Sequence, residues 1–144
     1  MATLVQVTFD CADPASQAEF WAAALGYVVQ PPPDPFASWD EALDAWGVPT
    51  DQRNTRSAVV DPDGEGPRIF FQKVPEAKSV KNRVHLDLHV GIGKTGDERR
   101  SVCEAEAQRL IQRGATLQRV VEPEGPSELC IVMQDREGNE FCVD

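Results

Sequence analysis

The chain has 144 residues, about the length of one domain, and its 24 acidic against 14 basic residues give a formal net charge of −10. This charge excludes the usual nucleic-acid and anionic-membrane partners, because both attract basic surfaces. No stretch approaches the roughly 18 apolar residues of a membrane-spanning helix, and the first residues lack the pattern of a signal peptide. The four cysteines form no CxxC pair, so we expect a reduced, cytoplasmic protein.

The first half of the chain combines strand patterns with one amphipathic helix. Asp13 is a typical N-cap, Pro14 a typical first helical residue and Gly26 a typical C-cap. The sequence DPDGEGP at 61–67 lies between two strand patterns and predicts the turn of a β-hairpin. The predicted elements are a strand, a helix, a strand and a hairpin, at 4–10, 15–26, 27–30, 57–61 and 68–74.

An insert follows the second predicted strand. Prolines at 31–35 break the pattern. The sequence at 36–49 then predicts a short helix, because Trp39, Leu43 and Trp46 recur at helical spacing. Such a stripe is either a packed core patch or a lid over a ligand site, and a lid with tryptophans favours a planar or apolar ligand. Trp39 is accordingly a candidate substrate-binding residue.

The second half opens with RVHLDLHV at 83–90, which alternates with period two and predicts a half-buried strand. His85, Asp87 and His89 then share one face, with His89 at the exposed strand end. Each strand residue rises about 3.3 Å, so the two histidines stand roughly 13 Å apart and cannot share one zinc ion. The remaining predicted elements are a helix at 97–114 and strands at 115–122, 128–135 and 139–144.

The two halves repeat one order of elements: strand, helix, strand, hairpin. Their hairpin turns, DPDG at 61–64 and DREG at 135–138, are similar. We predict an α+β fold of two tandem βαβββ units, at about 1–76 and 82–144, which form a cupped mixed sheet and one domain over 1–144. Two such units enclose a cleft, and ligands favour such junctions.

Equivalent positions of the two units carry groups able to coordinate or hydrogen-bond. Gln6 on the first strand of the first unit corresponds to His85 in the second unit. Gln72 on the last strand of the first unit corresponds to Cys142 in the second unit. His85 is the candidate catalytic residue because imidazole titrates near neutral pH; otherwise it is a polar residue lining a cavity. Asp87 either orients a neighbouring group or is solvated. Cys142 is a small buried hydrophobe unless a nearby base activates it.

Five segments of the chain resemble glyoxalase-like members of the vicinal oxygen chelate (glyoxalase/bleomycin resistance/dioxygenase) superfamily: QVTFDCADP (6–14), FWAAALGY (20–27), RIFFQKVPE (68–76), NRVHLDL (82–88) and DREGNEFCVD (135–144). In that superfamily a strand His or Gln precedes the Asp-Pro helix start by seven positions, as Gln6 precedes Asp13. The resemblance implies paired βαβββ modules, a homodimer and a small-molecule ligand, for which Gln6, Gln72 and Cys142 are candidate binding residues.

The resemblance also implies a divalent metal, which superfamily enzymes hold with His, Gln and Glu. Here Gln72 and Cys142 stand where the acidic ligands usually lie. The candidate metal set is therefore His85 with Gln6 and Gln72, joined by Glu140 if the metal position is shifted. Neutral amides are weak ligands without a carboxylate, so a site without a cofactor is the other expectation.

The sequence is compatible with three classes of function. The first is a lyase or isomerase of an oxygenated organic substrate, with His85 as acid–base residue or ligand and Gln6 and Gln72 holding substrate oxygens. The alternative is a non-catalytic protein of the bleomycin-resistance type that sequesters a drug or metabolite. A third is a domain that serves dimer contacts or regulation.

Overall fold

Each half of the chain forms a four-stranded mixed sheet. The computed structural model describes residues 1–144, which divide into two units, Met1–Ala77 and Lys78–Asp144. The first unit contains β1 (Val7–Cys11), α1 (Pro14–Leu25), β2 (Val28–Val29), α2 (Trp39–Ala45), β3 (Arg56–Val60) and β4 (Ile69–Lys73). The second unit contains β5 (Asp87–Leu88), α3 (Gly96–Gln112), β6 (Thr116–Val121), β7 (Cys130–Gln134) and β8 (Glu140–Val143).

Both sheets have the same topology. Their strand orders are β1-β4-β3-β2 and β5-β8-β7-β6, and in each sheet the first strand lies parallel to the last. The hairpin strands pair antiparallel. The carboxylates of Asp61 and Asp135 accept backbone N–H groups of their own hairpin turns, so the two turns are built alike. This repetition confirms the predicted α+β fold of two βαβββ units.

Helix α1 covers one face of the first sheet. The Trp21 ring lies 5.1 Å from the ring of Phe9, which lies 5.5 Å from that of Phe71. Trp21 and Phe71 are almost completely buried, and burying such a ring contributes about 1.5–3 kcal/mol. The alternate strand residues are exposed or half-buried and form what we call the open face of the first sheet: Thr8, Asp10, Phe70 and Gln72.

Helix α3 covers one face of the second sheet in the same way. Its buried residues Cys103, Ala107 and Leu110 recur at the spacing of an amphipathic helix. Met133 and Phe141 of the strands are fully buried on the covered face. The alternate strand residues form the open face of the second sheet: Asp87, Cys130, Val132, Glu140 and Cys142.

The helix ends follow the local chemistry of the sequence. Asp13 caps α1, since its Oδ1 accepts the N–H of Ser16 at 3.2 Å, and Pro14 occupies the first turn. Gly26 ends the helix at a φ of 71°, a left-handed conformation that glycine adopts without strain. Both predicted ends of α1 are confirmed. None of the helices has the length and apolar composition needed to cross a bilayer.

Several predicted elements are shorter in the structure, and two of these changes affect candidate residues. The strand predicted over 83–90 is reduced to the two residues of β5, although β8 also donates a ladder hydrogen bond to the Leu86 carbonyl. Val84 is 78% exposed, because the residues before Leu86 have no partner strand and an unpaired strand is not stable. The helix predicted over 36–49 is reduced to α2, and a 3-10 turn follows at Thr50–Gln52.

Candidate functional site

His85 and Asp87 form a hydrogen-bonded pair on the open face of the second sheet. His85 Nδ1 lies 2.6 Å from Asp87 Oδ1, and the two side chains are 40% and 37% exposed. A carboxylate beside Nδ1 favours the tautomer with its proton on that nitrogen, which leaves a lone pair on Nε2. The pair is therefore an oriented imidazole that a small molecule can reach. Of the two alternatives for Asp87, the structure favours the orienting group.

Cys142 stands beside this pair because it is the ladder partner of Asp87. Burial raises the pKa of the Cys142 thiol far above its ordinary value, and its hydrogen bond with Cys130 and the nearby Asp87 carboxylate raise it further. A thiol that stays protonated is a poor nucleophile. The surroundings of Cys142 therefore do not support a role of this thiol as a nucleophile.

Ligand atoms of His85, Asp87 and Cys142 all lie within 4.8 Å of one another. One nitrogen, one carboxylate oxygen and one sulfur form a donor set that suits zinc, whereas magnesium and calcium prefer oxygen ligands alone. A divalent ion held by these three residues would supply a Lewis acid that polarises a substrate oxygen. The raised pKa of Cys142 means that such binding has to release the thiol proton.

Glu140 lies outside this group of three residues. Its carboxylate accepts the backbone N–H of Asn82 at 2.9 Å and lies 3.1 Å from the Lys78 ammonium. The Asn82 hydrogen bond, with a smaller contribution from Lys78, lowers the pKa of Glu140 to about 2. This carboxylate holds the segment that leads to His85, and both of its close contacts use Oε2.

The first-unit candidates Gln6 and Gln72 lie toward opposite ends of the ladder between β1 and β4. Gln72 is the ladder partner of Asp10, and its Nε2 donates to Asp10 Oδ1 at 2.7 Å. Gln6 precedes β1, and its Oε1 accepts from Arg68 Nη1 at 2.6 Å. Four residues separate Gln6 from Asp10, or roughly 13 Å of strand. The first sheet therefore does not bring the two glutamines together.

The ladder registers change which first-unit residue matches His85. Asp10 and Asp87 occupy the same position, since each pairs with the residue after the buried Phe of the last strand. Thr8 lies two residues before Asp10, so Thr8 rather than Gln6 matches His85. The reason is loop length: α1 begins four residues after Asp10, whereas α3 begins nine residues after Asp87. Counting back from the helix start therefore misaligns the units.

Trp39 lies within a cluster of three aromatic rings in the insert. The Trp46 ring contacts those of Phe36 and Trp39 edge to face, with centroids 5.7 Å and 6.4 Å away. Trp39 Nε1–H donates to the Gln30 carbonyl at 2.7 Å. Trp39 is 38% and Trp46 53% exposed, so the stripe is not a core patch. It presents ring surface to solvent.

The other histidine belongs to a separate pair. His89 Nδ1 lies 2.5 Å from Asp144 Oδ1. The His89 side chain is 61% exposed, which agrees with its predicted position at the exposed end of the strand. Sequence reasoning did not anticipate the contacts of Cys130 with Cys142 or of Arg68 with Gln6. Only the strand register could have indicated either contact.

Residues 6–143 of the chain match the family model described as a glyoxalase-like domain. One similar structure is FosX, a fosfomycin resistance protein of Listeria monocytogenes, which was solved as a mutant with Mn(II) and 1S,2S-dihydroxypropylphosphonic acid. It is 9% identical to this chain. The match covers 99% of this chain and 89% of FosX, with a TM-score of 0.64. A glyoxalase/bleomycin resistance protein/dioxygenase family enzyme from Burkholderia phytofirmans PsJN is 16% identical, with coverages of 99% and 97% and a TM-score of 0.63. A possible glyoxalase from Bacillus cereus is 15% identical, with coverages of 99% and 98% and a TM-score of 0.58. No curated protein matches the chain. At these identities, the structural likeness shows the fold alone.

Proposed function

Because this chain belongs to the glyoxalase-like domain family, we propose that it is a lyase or isomerase of a small oxygenated organic molecule, with His85 as its acid–base residue. The observation that carries the proposal is the 2.6 Å contact between His85 Nδ1 and Asp87 Oδ1. The carboxylate orients the imidazole and stabilises the positive charge that forms when Nε2 takes up a proton.

The proposed chemistry is proton transfer next to a carbonyl group. His85 Nε2 removes a proton from the carbon beside the carbonyl and returns it to a neighbouring atom, which moves the double bond or lets a leaving group depart. Asp87 keeps its hydrogen bond to His85 Nδ1 throughout. Cys142 stays a neutral thiol beside the pair, because burial raises its pKa. Acid–base catalysis of this kind contributes about 10²–10⁴-fold to a rate.

A structural relative supports the substrate class. FosX from Listeria monocytogenes was solved with Mn(II) and a dihydroxypropylphosphonic acid, a small molecule with several oxygen atoms. In this chain we propose Gln6 and Gln72 as substrate-binding residues. Gln72 Nε2 donates to Asp10, so its Oε1 is left to accept from a ligand hydroxyl. Gln6 Oε1 accepts from Arg68 and one Nε2–H makes a 3.5 Å contact with Thr8 Oγ1, so the second Nε2–H is left for a ligand oxygen.

Hydrogen–deuterium exchange tests the proposal directly. A set of small α-hydroxy ketones and α-hydroxy aldehydes is incubated with the protein in D₂O, and deuterium uptake at the carbon beside the carbonyl is followed by NMR. We expect His85→Ala to slow the exchange by about 10²–10⁴-fold. His89→Ala removes the chain's other histidine, which is paired with Asp144, and should leave the rate unchanged. Equal rates for the wild type and His85→Ala would refute the assignment.

A metal titration decides whether His85 instead acts as a ligand. Metal-free wild type, His85→Ala and Cys142→Ser are titrated with zinc, nickel, manganese and ferrous iron by calorimetry. Stoichiometric zinc binding that both substitutions abolish would make His85, Asp87 and Cys142 a metal centre and replace the acid–base role of His85. Absence of tight binding by any ion leaves the metal-free chemistry in place.

A specific observation also favours the second candidate, a non-catalytic sequestering protein. Trp39 and Trp46 expose ring surface in the insert of a chain of charge −10. Such rings attract planar cations. Ethidium, used as a planar cationic probe, should then quench tryptophan fluorescence in the wild type and in His85→Ala but much less in Trp39→Leu. A loss of quenching in His85→Ala would contradict this function.

We also propose that the protein works as a homodimer in the cytoplasm. The edge strand β6 exposes Leu117, Val120 and Val121 by 45%, 40% and 39%, which supports contact with a second copy. All four cysteines are free thiols, as a reducing compartment requires. Light scattering should give twice the 15.9 kDa chain mass, and Val120→Lys should give the monomer mass. A monomeric wild type would contradict the dimer, and cell fractionation tests the location.

A further inference from the structure

Arg68, the residue before β4, is held in place by three neutral groups. Its Nε–H donates to Gln30 Oε1 at 2.6 Å, and its Nη1–H donates to Gln6 Oε1 at 2.6 Å. The guanidinium carbon lies 5.1 Å from the centre of the Phe70 ring, within the range of a cation–π contact. Two hydrogen bonds and a ring therefore fix both the position and the plane of the guanidinium.

The positive charge of Arg68 has no carboxylate partner. The acidic residues outnumber the basic ones by ten, yet none of the chain's ion pairs includes Arg68. The guanidinium is always charged and has five N–H donors, of which two are engaged. Three donors therefore remain on a half-buried cation whose geometry is set before any ligand arrives.

The surrounding residues direct this cation to the open face of the first sheet. Phe70, under the guanidinium, is the ladder partner of Thr8 on that face. Gln6 Nε2 makes a long contact of 3.5 Å with Thr8 Oγ1, which turns the Gln6 carbonyl oxygen toward Arg68. The nearest acid on the same face of β1, Asp10, lies roughly 13 Å from Gln6 along the strand and is bonded to Gln72.

We propose that Arg68 anchors a binding site for a small oxyanion, the carboxylate, phosphate or phosphonate group of a small-molecule ligand. Arginine recognises such groups through parallel N–H···O bonds, and fixing its fork beforehand lowers the cost of forming them. Gln6 and Gln30 are the positioning residues, since amide oxygens hold the fork without neutralising its charge. The site lies in the first unit and stands whether or not His85 is catalytic.

The test uses inorganic phosphate and acetate as probes of the full chain. The ¹⁵N-labelled protein is titrated with each anion, with sodium chloride at equal ionic strength as the blank, and the side-chain guanidinium resonances are followed by NMR. We expect a saturable shift of the Arg68 resonances, assigned by their loss in Arg68→Gln. Saturation by either anion supports the site, and the tighter anion identifies the preferred oxyanion. Wild-type resonances that do not move beyond the chloride blank would overturn the proposal.

Four variants separate a built site from net charge. Arg68→Lys keeps the charge but loses the fork, and should weaken binding by about tenfold or more. Gln6→Leu and Gln30→Leu change no charge and should each weaken binding several-fold. Arg56→Gln removes one positive charge from the same face, roughly 13 Å along the ladder, and should change the affinity less than about twofold.

The affinities of these variants distinguish a fixed guanidinium fork from a response to surface charge. Equal losses in Arg56→Gln and Arg68→Lys would show that the anion responds to surface charge alone. Unchanged affinity in both glutamine variants would overturn the role of the fixed fork. The backbone amide spectrum of each variant checks that the sheet is intact. His85→Ala should bind the anion like the wild type, so that a failure of this site and a failure of catalysis by His85 are told apart.

Discussion

Asp87 and Cys142 are ladder partners in β5 and β8, so a carboxylate and a thiol stand side by side on the open face of the second sheet. The carboxylate also holds His85. Because a negative charge opposes formation of a thiolate, the same aspartate that orients the imidazole helps to keep the thiol protonated. Asp87 thus influences both the imidazole of His85 and the thiol of Cys142.

Asp87→Asn should separate these two effects. The amide removes the negative charge, so the pKa of the Cys142 thiol should fall, while burial keeps it above its ordinary value. Ultraviolet absorbance of the thiolate during a pH titration measures this change, and Cys142→Ser identifies the signal. The exchange rate set by His85 should fall by about a hundredfold, because the imidazole loses its orienting charge. An unchanged pKa of the Cys142 thiol in Asp87→Asn would show that the Asp87 charge does not affect this thiol.

Alkylation should distinguish the four cysteines by burial. Cys130 is half-buried, whereas Cys11, Cys103 and Cys142 are buried. Burial also raises the pKa of Cys103, as it does that of Cys142. Iodoacetamide should therefore label Cys130 first in the folded protein, as mass spectrometry of tryptic peptides would report. Cys130→Ser should remove the fast phase, and initial labelling at Cys142 would contradict the packing described.

Glu140→Gln should destabilise the protein in a pH-dependent manner. The folded pKa of Glu140 is about 2, below its ordinary value of 4.5, so its stabilising contribution is fully present above pH 4.5. That contribution is lost as the pH falls from 4.5 toward 2, because the unfolded chain then binds the proton first. Urea unfolding between about pH 3 and pH 7 should show a gap between wild type and variant that narrows on acidification.

A control for this experiment is Glu124→Gln, which changes an exposed carboxylate. It should leave the free energy of unfolding nearly unchanged at every pH. A Glu140→Gln gap that stays constant with pH would mean that the contacts with Asn82 and Lys78 do not favour the ionised form.

Adjacent phenylalanines on β4 should differ sharply in their contribution to stability. Phe71 is fully buried against the rings under α1, and Phe71→Ala should cost about 3–5 kcal/mol. Phe70, on the open face, is half-buried, so Phe70→Ala should cost clearly less. Urea unfolding measures both free energies. Similar losses in the two variants would contradict the assignment of the two faces.

The sequence by itself determined the local structure of this protein. Asp13, Pro14 and Gly26 mark the ends of α1 through their own backbone chemistry, and the repeated hairpin turns reveal the two βαβββ units. These features depend on residues a few positions apart, so a single chain read in order is sufficient to predict them. The candidate residue His85 also followed from the sequence, because it is one of only two histidines and lies in an alternating segment.

Only the tertiary structure decided which of these residues meet. Gln72 contacts Asp10, and Arg68 contacts Gln6, in both cases 62 residues away in the chain. A shift of one residue in the ladder would place every one of these side chains on the other face. The register depends on pairing between distant strands and on loops of different length, and neither leaves a local pattern. The match of His85 to Thr8 and the isolated charge of Arg68 therefore became visible only in the folded chain.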